Sequence, residues 1–225
     1  MIIHLGGSIL VPNGGPNVEF IGRFREFILD FLEEGKRFIV VAGGGAIARH
    51  YQAAAGEIID LSDEDKDWIG IHATRLNAHW LRAVFYKQAH PVVFDDPTKE
   101  IEGMDKYNLF IASGWRPGWS TDYVAMMLAK RFEVKEVIVA TKLPYVYDDD
   151  KEKNGNAQPL KEISWADYRR MVGDKWIPGL RLPVDPIAAK VAELEGIKAI
   201  VVLGTDLMNL GRVIRGENFK GSVIK

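Results

Sequence analysis

Short apolar runs alternate with amphipathic stretches along the chain, the pattern of strands and helices following one another in an α/β layer fold. A strand is predicted over residues 2–5, running straight into Gly6, Gly7 and Ser8. Phe20, Ile21, Phe24, Phe27, Ile28, Phe31 and Leu32 recur at helical spacing within residues 18–34, and Gly35 ends that helix. Residues 37–42 (RFIVVA) form a largely apolar run suited to a buried parallel strand. This run also ends in glycines, Gly43, Gly44 and Gly45, with a helix expected over 46–55.

Further along, a long helix is predicted over 67–87, a strand over 91–94 and another over 108–112 that leads into SGWRPGWSTD. Ser120, Thr121 or Asp122 can cap the helix that follows, to about residue 131. A strand at 137–141 precedes a polar segment, DDDKEKNGNAQ, read as a solvated loop. Helices over 165–172 and 186–195 and a buried strand over 199–204 complete the pattern. With no linker or repeat, residues 1–225 read as one compact domain of two lobes.

Composition narrows the function. The 225 residues carry 29 basic and 31 acidic side chains, a formal charge of −2, which argues against a general nucleic-acid binder. Cysteine is absent, so disulfides, thiolate metal sites and a cysteine nucleophile are excluded. The opening MIIHLGGSIL lacks a basic leader and is far too short to span a bilayer, so a soluble cytoplasmic chain is expected.

Two strand ends in glycine, followed by helical stretches, are candidate phosphate sites. Glycine lets the backbone approach a phosphate closely, and the first helical amides point at it. The Gly114 to Thr121 loop is a third such place. No GxxxxGK[ST], GxGxxG or HExxH motif is present. His72 and His79, seven apart, are read as structural or surface residues. Trp115 and Trp119 stand out because they lie in a Gly/Pro-rich loop rather than in a periodic stretch.

Taken in order, these segments resemble the amino acid kinase family and, within it, the archaeal-type uridylate (UMP) kinases. HLGGSIL and VAGGGAIARHY resemble the family's two glycine turns, and DWIGIHATRLNA is similar to a segment of its UMP kinases. GWRPGWSTDYVAMMLA, ATKLPYVYDDD, VDPIAAKVAE and GENFKGSVI resemble later segments, so nearly the whole chain is covered. The resemblance implies a three-layer αβα sandwich with a mainly parallel central sheet. It also implies transfer of the ATP γ-phosphoryl to UMP, with Mg²⁺ carried by ATP rather than by protein side chains. Small-molecule nucleotides would be the partners, with neither nucleic acid nor membrane, and a hexameric homo-oligomer built through N-lobe helices is implied.

Carried over by position, Gly7, Ser8, Gly45, Arg49, Thr141, Tyr147 and Asp150 would face ATP, in a donor lobe of about residues 131–225 together with the glycine turns. Gly44, Asp67, Trp115, Arg116, Pro117, Gly118, Trp119, Ser120 and Thr121 would face UMP, on an acceptor side of about residues 1–130. His4, Arg49 and Lys142 are the candidate catalytic cations, with Arg75 a further cation or a structural salt bridge. His4 stands where many family members place a lysine. In the turn after the fifth strand, Lys142 and Pro144 depart from the family's usual TNVDGVY, and Pro144 removes an amide. The indoles Trp115 and Trp119 could stack a base, and Arg116 could meet a phosphate. Two alternatives stay open: a different small acceptor, or a non-catalytic nucleotide- or oxyanion-binding relative, for which LPVD at 182–185 is a short match to molybdenum storage proteins.

Overall fold

The computed structural model describes residues 1–151, 153–175 and 182–225. The first half contains β1 (Ile2–Leu5), α1 (Gly7–Leu10), α2 (Val18–Glu33), β2 (Phe38–Ala42), α3 (Gly45–Gly56), α4 (Asp63–Val84) and β3 (Leu109–Ala112). It continues with α5 (Thr121–Arg131), β4 (Glu136–Thr141), β5 (Val146–Tyr147), β6 (Pro159–Leu160), β7 (Glu162–Ile163) and α6 (Trp165–Val172). The chain closes with α7 (Pro186–Glu195), β8 (Lys198–Leu203), α8 (Leu207–Arg215) and β9 (Ser222–Ile224).

Seven strands form one sheet in the order β3-β2-β1-β4-β8-β9-β7, while β5 and β6 pair separately. Neighbours in the large sheet run parallel except β8 and β9. Side chains alternate between the faces of a strand. Ile3, Leu5, Val40, Ala42 and Ile138 therefore pack on one face with Phe24, Ile28 and Phe31 of α2, Leu81 of α4 and Leu210 of α8. Ile2, Val41, Val137, Val139 and Val201 pack on the other with α5, α6 and α7. This is the expected three-layer αβα sandwich. Helices on both faces also explain why a strand such as FIVVA is buried along its whole length. By the same alternation His4 falls on the α5 side of β1, which decides what it meets.

Local details differ from expectation in a few places. The long helix starts one turn early, at Asp63, because Ser62 caps it by accepting from the Asp65 amide at 3.1 Å. The strand predicted over 91–94 does not form: only the bridges Ala89–Leu109 and Phe94–Ala112 exist there. Pro91 lacks an amide, and the Val92 amide turns back to His90 Nδ1 at 3.2 Å. Helix α8 lies in a stretch for which no helix was predicted; its Leu210, Val213 and Ile214 are buried. The acidic run Asp148–Asp150 sits in the exposed loop joining β5 to β6, where the Gln158 amide meets the Asp148 carboxylate at 2.7 Å. Glu152 of that loop lies outside the described residues.

Candidate active site

Ligands of open parallel sheets bind beyond the carboxyl ends of the strands. There the chain holds a cleft of about 530 Å³, walled by the turns after β1, β2, β3 and β4. The two glycine turns touch backbone to backbone. A Cβ on Gly7 would come within 2.0 Å of the Gly45 nitrogen, and one on Gly43 within 2.3 Å of the Gly7 nitrogen. No side chain fits there, and the first turns of α3 and α5 open onto the same space.

Helix α4 holds these turns in place. Asp67, Thr74 and Asn77 recur three and seven apart, so they share a face. Asn77 donates its side-chain amide to the carbonyls of Gly43, at 2.7 Å, and Gly44, at 3.0 Å. Thr74 Oγ1 accepts from the Gly114 amide at 2.8 Å and donates to the Ile71 carbonyl at 2.6 Å. The Asp67 carboxylate accepts from the Gly118 amide at 2.7 Å. Arg75 donates to the Trp115 carbonyl at 3.2 Å and stands 3.7 Å from Asp95. Arg75 is thus a loop anchor and does not line the cleft. One segment, DWIGIHATRLNA, positions both the second glycine turn and the loop after β3.

A polar cluster sits where β1 meets α5. His4 is buried; its Nε2 lies 2.9 Å from Thr121 Oγ1 and its Nδ1 2.6 Å from Asp122 Oδ1. The Asp122 approach is off the hydrogen-bond axis, so the carboxylate acts on the ring chiefly as a close charge. Ser120 caps α5 by accepting from the Tyr123 amide at 3.0 Å, and its hydroxyl donates to the Asp185 carboxylate. Asp185 in turn caps α7, accepting from the amides of Ile187 at 2.8 Å and Ala188 at 3.1 Å. Burial, aided by the nearby Asp122 charge, pushes the Asp185 carboxyl up to about 6 despite those hydrogen bonds.

Of the residues expected at the site, His4, Gly7, Ser8, Gly44, Gly45 and Arg49 line the cleft. So do Asp67, Trp119, Ser120, Thr121, Thr141 and Lys142. The Thr141 hydroxyl folds its own turn, donating to the Leu143 carbonyl at 2.8 Å. Trp115, Arg116, Pro117 and Gly118 do not line it. The Arg116 guanidinium instead lies over the Trp115 ring at 4.1 Å and the Trp119 ring at 5.6 Å, while Trp119 rests 4.1 Å from the Tyr123 ring. Tyr147 and Asp150 also stand off the wall, on the hairpin and its acidic loop. Sequence reasoning missed Asn77 and Thr74, whose signal was their helical spacing with Asp67. It took Asp122 only as a possible cap and gave Asp185 no role. No helix among the described residues is long and apolar enough to cross a membrane.

The family model described as "Amino acid kinase family" matches residues 1–203. The uridylate kinase of Pyrococcus abyssi is 33% identical over 219 residues, covering 97% of this chain and 96% of that protein. The uridylate kinase of Thermococcus kodakarensis is 35% identical over 226 residues, covering 100% and 99%. Among solved structures, the uridylate kinase of Archaeoglobus fulgidus superposes with a TM-score of 0.81 at 31% identity, covering 100% of this chain and 99% of that one.

Proposed function

The chain belongs to the amino acid kinase family, and from that membership we propose that it transfers the γ-phosphoryl of ATP to UMP, giving UDP and ADP. The reading is supported by relatives named uridylate kinase along the full length of the chain. The observation that carries it is the cleft: one continuous hollow joins both glycine turns to the loop after β3, with His4, Arg49 and Lys142 on its walls.

Phosphoryl transfer asks a protein for positioning and charge neutralisation rather than covalent chemistry. In this reading Gly7, Ser8, Gly45 and Thr141 receive the ATP phosphates, and Arg49 supplies a forked cation one turn into α3. Gly44, Asp67, Trp119, Ser120 and Thr121 receive UMP, with Trp119 offering its ring to the base. Trp115, Arg116, Pro117 and Gly118 back that loop. Tyr147 and Asp150 belong to the rim on the donor side. Lys142 takes the place of the polar residue usual in the family's turn and brings a second cation to the transferring group. In this reading magnesium comes with ATP, held by its phosphates rather than by protein side chains, and would supply charge neutralisation there.

The proposal extends to a single domain, with the acceptor on the side of about residues 1–130 and ATP on the side of about 131–225, to a cytoplasmic setting and to a homo-oligomer. Exposed Tyr51, Ile58, Ile59, Trp68 and Leu76 along and between α3 and α4 support the last. ADP release measured with ATP, Mg²⁺ and a panel of acceptors tests the activity. Turnover is expected with UMP and not with acetylglutamate, aspartate or carbamate; absence of turnover with every nucleoside monophosphate would refute the reading.

A further inference from the structure

We propose that Thr121 is itself a phosphoryl acceptor: with ATP bound and no UMP in the cleft, its hydroxyl takes the γ-phosphoryl with His4 as general base. This rests on the reading of the cleft as an ATP site.

The geometry is that of an activated nucleophile. Thr121 Oγ1 lies on the cleft wall 2.9 Å from His4 Nε2, and His4 Nδ1 lies 2.6 Å from Asp122 Oδ1. A hydroxyl within hydrogen-bond reach of an imidazole is the nucleophile and base pair of covalent catalysis, and here the carboxylate beside the ring acts as a close charge. The Asp122 charge beside Nδ1 favours the tautomer protonated there, which leaves the Nε2 lone pair facing the hydroxyl. His4 is held in β1 between β2 and β4, beneath α5, so its ring stays aimed at Thr121. Three other hydroxyls on the cleft wall, those of Thr74, Ser120 and Thr141, are otherwise engaged, Thr74 with Ile71 and Gly114. Ser120 is tied to the Tyr123 amide and Asp185, and Thr141 to Leu143.

Transfer to UMP gives this imidazole no proton to remove. A phosphate monoester is largely dianionic at neutral pH, so its attacking oxygen is already bare. A threonine hydroxyl does need a base. In the step proposed, Thr121 Oγ1 forms a bond to the γ-phosphorus while the bond to the β-phosphate oxygen breaks. The electrons of that bond leave with ADP, and the hydroxyl proton passes to His4 Nε2, where Asp122 stabilises the imidazolium until solvent takes the proton. The new phosphothreonine then occupies the acceptor side of the cleft, so UMP and self-transfer compete for one place.

The full chain incubated with ATP and Mg²⁺ is followed by intact mass and peptide mapping, with ATP binding and UMP turnover measured in parallel. A gain of one phosphoryl group at Thr121, suppressed by UMP, is expected. Thr121→Val is expected to abolish labelling, and Thr121→Ser to retain it at the same position. His4→Gln is expected to slow it by roughly a hundredfold or more, the usual worth of a general base, with ATP binding retained. Turnover of UMP without any Thr121 label overturns the inference and leaves the kinase reading standing. Labelling that survives Thr121→Val, or that His4→Gln does not slow, also overturns it. Failure to bind ATP overturns both.

Discussion

Asp185 carries a charge that its surroundings oppose. The side chain is buried, and that burial, with the Asp122 charge adding to it, pushes it up to about 6 from the ordinary 3.8 of an aspartate. The folded protein therefore keeps the Asp185 proton at pH values where the unfolded chain has released it. Where the folded state binds more protons, stability falls as pH rises. The loss runs from about pH 3.8 to about pH 6 and totals on the order of 3 kcal/mol. Asparagine is as good a helix N-cap as aspartate and does not titrate. Asp185→Asn is accordingly expected to flatten the stability profile across that window, measured by urea unfolding at a series of pH values. A slope identical to that of the parent chain would contradict this account. At this scale the sequence was only partly legible. His4, Lys142 and Arg49 stood out by type and position, whereas the role of Asp122 depends on a partner 118 positions away (122 − 4). Arg116 has the right chemistry for a phosphate, but two indoles beside it give its flat cation a closer place to lie.

Four helices end the same way, and one of them departs from the rule of composition. Gly35, Gly196 and Gly216 close α2, α7 and α8 with φ of 80°, 61° and 70°. In each, that residue's amide bonds three residues back and the next amide five back. Helix α5 makes the same pair of bonds, Glu133 to Lys130 at 3.2 Å and Val134 to Ala129 at 2.8 Å, but with Glu133 at φ 53°. A side chain in the left-handed region costs roughly 1–2 kcal/mol. Glycine removes that strain and returns part of the gain through the more flexible unfolded chain. Glu133→Gly is expected to raise stability by about 0.5–1 kcal/mol, and Gly196→Ala to lower it by about 1 kcal/mol. Thermal unfolding of the two variants checks both signs, and a destabilised Glu133→Gly would show that the Glu133 side chain earns its place by a contact. Gly35 was readable as a helix end because glycine there follows an apolar periodic run. Glu133 was not, because only the backbone bonds around it reveal the turn. The missing strand at 91–94 has a similar cause, since local apolar content cannot tell a strand from a turn folded around His90 and Pro91.

Across the whole molecule, the apolar residues left outside the two cores gather unevenly. Ile58 and Ile59 are 83% and 60% exposed, and with Tyr51, Trp68 and Leu76 they lie on or between α3 and α4. Burial of such side chains against another copy is worth about 25 cal/mol per Å². Light scattering of the eluting protein is expected to give a mass above that of one chain, and Ile58→Asp with Ile59→Asp to shift it downward. A single-chain mass for the parent would remove the proposed homo-oligomer.

The alternation of strands and helices and the glycine turns at the strand ends were determined by the sequence, because hydrophobic period and backbone clearance are local properties carried by the residues themselves. The αβα sandwich was what the family resemblance implied. Tertiary structure alone decided that His4 meets Thr121 across 117 positions and Ser120 meets Asp185 across 65. Those pairings follow from which face of β1 points at α5 and how α7 packs beside it. The reason is geometric: a polar side chain's partner is set by the register of packed layers, and no short stretch of chain contains that register.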